Sequence, residues 1–252
     1  MCAPDLIERI AALNAIEGIE SLTMTTNGTR LPGRAAEVRA AGVSRLNISC
    51  DALDAETFHR INGGNVDELF AGISSAREVF DDIRLNVVML RGVNDANPGE
   101  FAAFARETGA TLRFLELMPT TRDRTHDLFI PARVVRERLE SSIPLVPDAP
   151  EDDAETAAWY RAEVTGQRIG FIAPVSRPFC LSCNRMRLTA DGSVLPCLHS
   201  EISVSIRDVI RGGCDDAEIA RCFLRAARRK PRMHELSGDV PRTACRMYVC
   251  GG

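Results

Sequence analysis

Between residues 22 and 117, short apolar runs rich in β-branched residues alternate with amphipathic helical stretches. No other feature limits the fold as much. Residues 22–28 (LTMTTNG) read as a strand entering a turn, and 45–49, 85–90 and 112–117 read as three more strands. Helical spacing fills 34–41, 54–61, 66–80 and 98–108, with stops at Gly42 and Gly109 and a break at Asn62-Gly63-Gly64. Residues 5–17 add an earlier amphipathic helix. Strands alternating with helices at this pace predict βα units and a parallel sheet, so the class is α/β. Each strand ends in polar residues: Thr25-Thr26-Asn27-Gly28, Ser49-Cys50-Asp51, 91–95 (RGVND), and Glu116 with Met118-Pro119. Parallel sheets bind ligands at the carboxy ends of their strands. Four such ends in succession are therefore candidate ligand loops.

After residue 120 the pattern changes. Residues 120–127 form a charged loop, 131–139 a helix, and 144–156 an acidic, proline-bearing connection expected to be exposed. Residues 159–164 and 168–172 read as a hairpin around Thr165-Gly166, followed later by helices at 203–210 and 215–229. The expected division is a first domain of 1–145 and a second of 146–252. The run 225–232 is basic, and suits a solvated helix end as well as it suits phosphate binding.

The second part contains FCLSCNRMRLTADGSVLPC, residues 179–197. Cys180 and Cys183 are close enough in sequence to share one metal or one cluster face. Residues 187–189 and 193–195 read as two arms around the turn Ala190-Asp191-Gly192. Such a hairpin returns Cys197 to the CxxC pair, so three thiolates are expected to converge, beside Arg185 and Arg187. Thiolates bind zinc or iron–sulfur clusters. Three leave one iron of a four-iron cluster open, whereas a closed zinc site needs a fourth donor, from His199, Cys214, Cys222, Cys245 or Cys250. The arginines favour a site that also takes an anion, and both readings stay open on spacing alone.

A net charge of −4 and a pI near 5.7 argue against nucleic acid as a partner. No apolar run is long enough to cross a bilayer, and the first residues lack a signal-peptide layout, so a cytoplasmic protein is expected. Nine cysteines in such a chain read as metal or cluster ligands rather than a disulfide framework, with those of the last 40 residues as ordinary buried thiols.

The stretch SRPFCLSCNRMRLTADGSVLPCL resembles the carboxy-terminal cluster motif of the MoaA family, radical S-adenosylmethionine (SAM) enzymes that cyclise GTP at C3′ and C8 for molybdenum cofactor synthesis. The resemblance implies a partial (β/α)6 TIM-type barrel with an α+β carboxy-terminal extension. It implies a [4Fe–4S] cluster on Cys180, Cys183 and Cys197, and GTP contacts from Arg185, Arg187, Thr25 and Arg84, where a lysine is usual. It implies SAM contacts from Ser49 and Met118, an active-site role for Arg113, and a catalytic double-glycine tail, Gly251-Gly252. In the family, a second [4Fe–4S] cluster on a CxxxCxxC motif cleaves SAM, and the resulting radical takes the C3′ hydrogen of GTP. This chain contains no CxxxCxxC and no GGEP segment, and Pro4-Asp5-Leu6-Ile7 align with what usually follows GGEP. The expectation is a truncated chain, short of the first two βα units, with an open sheet edge at the TTNG strand and no activity alone. Implied partners are GTP, SAM and the cyclic pyranopterin monophosphate synthase that acts next; a homodimer is compatible with the resemblance. The competing readings are a non-catalytic zinc or cluster scaffold and another radical SAM enzyme with an auxiliary cluster.

Overall fold

A computed structural model describes residues 3–118, 127–150, 155–200 and 202–234. It contains two compact units. The first runs through Leu117 and adds Leu128–Pro150 and Ala157–Ile172; the second includes Met118 and everything described from Ala173 onward.

The first unit is a mixed α/β layer. Its strands are β1 (Leu22–Thr26), β2 (Val43–Ser49), β3 (Ile83–Met89), β4 (Thr111–Glu116), β5 (Leu145–Asp148), β6 (Ala157–Ala162) and β7 (Arg168–Ile172). They form one sheet in the order β1-β2-β3-β4-β7-β6-β5. From β1 to β7 all neighbours are parallel, and β6 and β5 then add antiparallel strands. The helices are α1 (Leu6–Asn14), α2 (Ala35–Ala40), α3 (Ala55–Asn62), α4 (Val66–Arg77), α5 (Pro98–Glu107) and α6 (Ala132–Glu140). Local signals set their ends. The Asp54 carboxylate accepts the Thr57 amide at 2.8 Å and the Asn65 side chain the Asp67 amide at 2.9 Å, satisfying first-turn N–H groups. Gly63 closes α3 in the left-handed region at φ 69°.

One face of the sheet carries the core: Leu46, Ile48, Leu85, Val87, Leu112, Phe114, Ile169 and Phe171 are buried. Phe114 stacks on Phe171 with centroids 5.6 Å apart and meets Phe101 of α5 edge-on at 6.3 Å. The alternate residues Thr25, Asn47, Asn86, Arg113 and Trp159 lie on the other face, because successive side chains of a strand point to opposite sides.

One expectation needs correction here. Residues 144–156 are not wholly an exposed connection, since Leu145–Asp148 pair with β6 as a sheet strand. Charge explains part of this: the Asp148 carboxylate accepts from Arg161 at 2.8 Å and Arg168 at 3.1 Å, joining β5 to β6 and β7. The expected hairpin 159–172 does form, and it extends the parallel sheet past residue 145 through β4–β7 pairing.

The second unit holds a three-stranded antiparallel sheet of β8 (Arg187–Leu188), β9 (Ser193–Leu195) and β10 (Val204–Ser205), with α7 (Arg207–Arg211) and α8 (Asp216–Arg228). Val194, Val204, Ile206, Cys222 and Ala226 make its core. The helix expected over 203–210 is instead a strand followed by a short helix. Val204 and Ser205 pair with Val194 and Ser193, and the amides of Ile206 and Arg207 both donate to the Gly192 carbonyl. Val204 and Ile206, two residues apart, thereby point into the same core.

Candidate functional site

The first unit presents a connected polar row on its non-core face. Arg113 of β4 donates from Nε to Asn86 Oδ1 at 2.9 Å and from Nη2 to Asn47 Oδ1 at 2.6 Å. Asn47 Nδ2 lies 3.4 Å from Thr25 Oγ1. Strand register brings these residues together: Thr25 pairs with Asn47, Ser49 with Asn86, and Asn86 with Arg113. Two amide oxygens thus fix the plane of the guanidinium before any ligand arrives. Asn47 and Asn86 were not among the residues expected at the site. The signal for them is a repeated tripeptide, Arg45-Leu46-Asn47 and Arg84-Leu85-Asn86, that sets an amide two residues after an arginine in neighbouring strands.

Arg84 is buried at 4% exposure. Its Nε lies 3.5 Å from Asp82 Oδ1, and its guanidinium carbon is 5.7 Å from the centroid of the Trp159 ring. Arg168 approaches the same ring at 4.0 Å. The indole occupies the space over Gly170, where a Cβ would come within 2.8 Å of ring carbon Cζ3. Trp159 is itself buried, and its Nε1 has no hydrogen-bond partner among the described residues.

Several polar strand ends serve the fold rather than a ligand. Asp51 Oδ1 accepts the Val88 amide at 2.8 Å, and burial pushes its carboxyl up. The Asn94 side chain donates to the carbonyls of Asp51 and Val88 and accepts from the Leu90 amide. Asp95 binds the Gly92 amide and Arg138. Glu116, 2% exposed, accepts the Ala132 amide at 2.8 Å and so satisfies the start of α6. Burial with the Asp51 charge raises the Cys50 thiol to about 12, which makes it an inert core group. The Thr26-Asn27-Gly28 turn organises itself similarly: the Gly28 amide donates to Thr26 Oγ1, and Thr29 donates to Asn27 Oδ1. Ser49 is half-buried at the end of β2.

In the second unit, Cys180 opens a single 3-10 turn, Cys180–Ser182, and the Cys183 amide closes it onto the Cys180 carbonyl at 3.2 Å. The predicted hairpin follows, with β8 and β9 paired through Arg187–Leu195 and Leu188–Val194. Burial acts to raise the Cys183 thiol, but the Arg185 amide and the charges of Lys230 and Arg185 outweigh it and hold the thiol below its ordinary value. The Cys197 sulfur accepts the His199 amide at 3.4 Å. Desolvation and the like charge of Arg185 lower Arg187, opposed by Cys197 and Cys183. Arg185 itself is exposed, with its guanidinium carbon 5.3 Å from the Phe179 centroid. His199 and His234 meet edge-on at 5.1 Å; burial, then His234 and Arg187, lower His199 to about 4.

The hairpin carries Cys183 and Cys197 beside Arg185 and Arg187, with Lys230 bonded to both of its arms. Among the described residues no group of three or more His, Cys, Asp or Glu side chains is placed to hold a metal ion. The donor set still suits an iron–sulfur cluster in kind, being three thiols on one small element with cations beside them. Of the other candidate zinc donors, Cys222 is buried in the core of α8 and unsuited to the role. Met118 packs against Leu195 and Leu198. Gly251, Gly252, Cys245 and Cys250 lie outside the described residues, as does most of the 120–127 loop.

Residues 1–105 match the family model of the Radical SAM superfamily, and residues 110–236 match that of Molybdenum Cofactor Synthesis C. The chain is 36% identical over 256 residues to a GTP 3′,8-cyclase of Rhodopirellula baltica, covering 98% of this chain and 71% of the relative. A GTP 3′,8-cyclase of Marinobacter nauticus is 37% identical over 244 residues, covering 94% and 73%. One from Pseudomonas putida is 38% identical over 244 residues, covering 94% and 72%. A solved chain titled "Structure of TYW1 with a lysine-pyruvate adduct bound" aligns at a TM-score of 0.43 and 18% identity, over 58% of this chain and 49% of that one, too loosely to bear on function. With both family models matched in order and these relatives aligned over nearly its whole length, the chain belongs to the MoaA family of radical SAM enzymes.

Proposed function

We propose that this chain holds GTP for the C3′–C8 cyclisation that begins molybdenum cofactor synthesis. The observation that carries the reading is the grouping of Arg185, Arg187, Cys183 and Cys197 on one hairpin, with Lys230 reaching it from the end of α8. Such a patch recognises a ligand that is both anionic and able to meet a metal, as a purine nucleoside triphosphate is. Cys180, Cys183 and Cys197 would hold a [4Fe–4S] cluster. When bound, that cluster supplies an open iron on which the guanine can be seated. Arg185 and Arg187 neutralise phosphate charge or fix the base.

In the first unit, Arg113 offers a guanidinium already oriented by Asn47 and Asn86, and Thr25 extends the same row. Arg84 contributes from a buried position shared with Asp82 and Trp159. Ser49 and Met118 are the proposed SAM contacts, and the sheet is read as part of a (β/α)6 barrel. The work of these residues is positioning, since C3′ and C8 must come within van der Waals reach and small displacements cost rate. Within these 252 residues there is no CxxxCxxC sequence, so by itself the chain has no thiol set for the cluster that cleaves SAM.

The test is anaerobic loading of the purified chain with iron and sulfide, followed by metal analysis and titration with GTP. About four irons with matching sulfide per chain and heat on adding GTP are expected. A single zinc without visible absorption, and no GTP binding by the loaded chain, would refute the reading. With SAM and a reductant the chain alone should release no 5′-deoxyadenosine, and its appearance would overturn the statement about the missing cluster.

A further inference from the structure

The hairpin that carries the cysteines has a short ladder. Pairing of β8 with β9 ends at Arg187–Leu195, so the segments that continue to Cys183 and Cys197 leave the sheet with no further strand pairs between them. Another group takes over at that point. Lys230 Nζ donates to the carbonyl of Arg185, two residues beyond Cys183, and at 3.0 Å to the carbonyl of Pro196, next to Cys197. Lys230 follows α8, whose Cys222 and Ala226 are locked in the core beside Val194, so the lysine projects from a fixed base. Within the basic run it is set apart: Arg225, Arg228, Arg229 and Arg232 are exposed, whereas Lys230 is half-buried.

We infer that Lys230 is a positioning residue for the sulfur ligands, its ammonium clamping the two arms of the hairpin where the strand ladder stops so that Cys183 and Cys197 are presented together. The presentation of a cluster rests on the function proposed above, while the clamp itself does not. An ammonium suits the task because its donors can serve both carbonyls at once, each as a charge-assisted bond. An apolar side chain of similar length would leave both carbonyls without this donor.

Two measurements on the 252-residue chain test the clamp, in wild type, Lys230→Met and Lys230→Arg. The first is amide hydrogen exchange of the metal-free protein. In Lys230→Met, peptides covering 183–197 should exchange about tenfold faster, with β2 and β3 unchanged and Lys230→Arg recovering most of the protection. The second is loss of iron to a chelator after anaerobic loading, expected to be about tenfold faster in Lys230→Met and partly restored in Lys230→Arg. Wild-type protection of 183–197 in the methionine variant overturns the inference, as does equal loss of protection throughout β2 and β3. An arginine variant as fast as the methionine one overturns it too. If the wild type takes no iron–sulfur cluster, the functional proposal fails, and the exchange experiment still decides on the clamp.

Discussion

Gly72 in the middle of α4 offers a test in which two physical effects predict opposite signs. Replacing glycine by alanine inside a helix ordinarily stabilises by about 1 kcal/mol, because alanine loses less backbone entropy on folding. Here a Cβ would come within 2.1 Å of the Gly28 carbonyl oxygen and 2.8 Å of its carbon. Ordinary contact begins near 3.4 Å, so the helix and the TTNG turn would have to separate by roughly 1.3 Å. Neither can move freely. Leu69, Ile73 and Ala76 of α4 are 0–1% exposed, and a Cβ on Gly28 would already meet Ile48 and Leu69 at 3.2 Å. Overpacking of this kind costs about 1–3 kcal/mol and at times more. Since the obstruction is rigid backbone, the steric cost should reach the upper end of that range, about 3 kcal/mol, and less the propensity gain of about 1 leaves a net loss of about 2 kcal/mol. Urea unfolding followed by Trp159 fluorescence measures it, because this is the sole tryptophan and it lies in the same sheet. On the GTP contact proposed for Thr25, a displaced turn should also weaken GTP binding. A Gly72→Ala midpoint equal to or above wild type would refute the reasoning.

Asp95 should give an acid-sensitive contribution. Burial acts to raise its carboxyl, but Arg138 at 2.6 Å and the Gly92 amide prevail and hold it low. The stabilisation is therefore complete above the unfolded-state value of about 3.9 and drains away as pH falls through the lower folded value. Asp95→Asn should cost about 1–2 kcal/mol at neutral pH, after allowance for the solvent around Arg138, and should flatten the acid limb of a stability–pH curve; an unchanged limb would count against it. Arg113→Lys keeps the charge and loses the fork held by Asn47 and Asn86. Calorimetry should then show GTP binding to the cluster-loaded chain weakened roughly tenfold, and wild-type affinity would remove Arg113 from the site.

The alternation of strands and helices was sufficient to place β1 to β4 and α2 to α5, because each element's periodicity and stop signals are written in adjacent residues. Gly63 ending α3 and the Ala190-Asp191-Gly192 turn are of this kind. The family was equally evident from the cysteine stretch. Less evident was what the polar loop residues do. Asp51, Asn94, Asp95 and Glu116 have the chemistry of ligand contacts, and the fold spends them on its own amides. Only burial and partners distinguish the two uses.

The chain order alone determined the run of elements, the identity and spacing of the thiols, and the arginines beside them. Tertiary structure decided that Leu145–Asp148 becomes a strand and that Val204 joins a sheet rather than a helix. It also decided that Trp159 lies over Gly170 with Arg84 and Arg168 near its ring, and that Lys230 reaches across to the cysteine arms. Each of these depends on register between segments far apart in sequence, where a shift of one residue turns a side chain to the opposite face. No local propensity encodes that register; it is set only when the whole core packs.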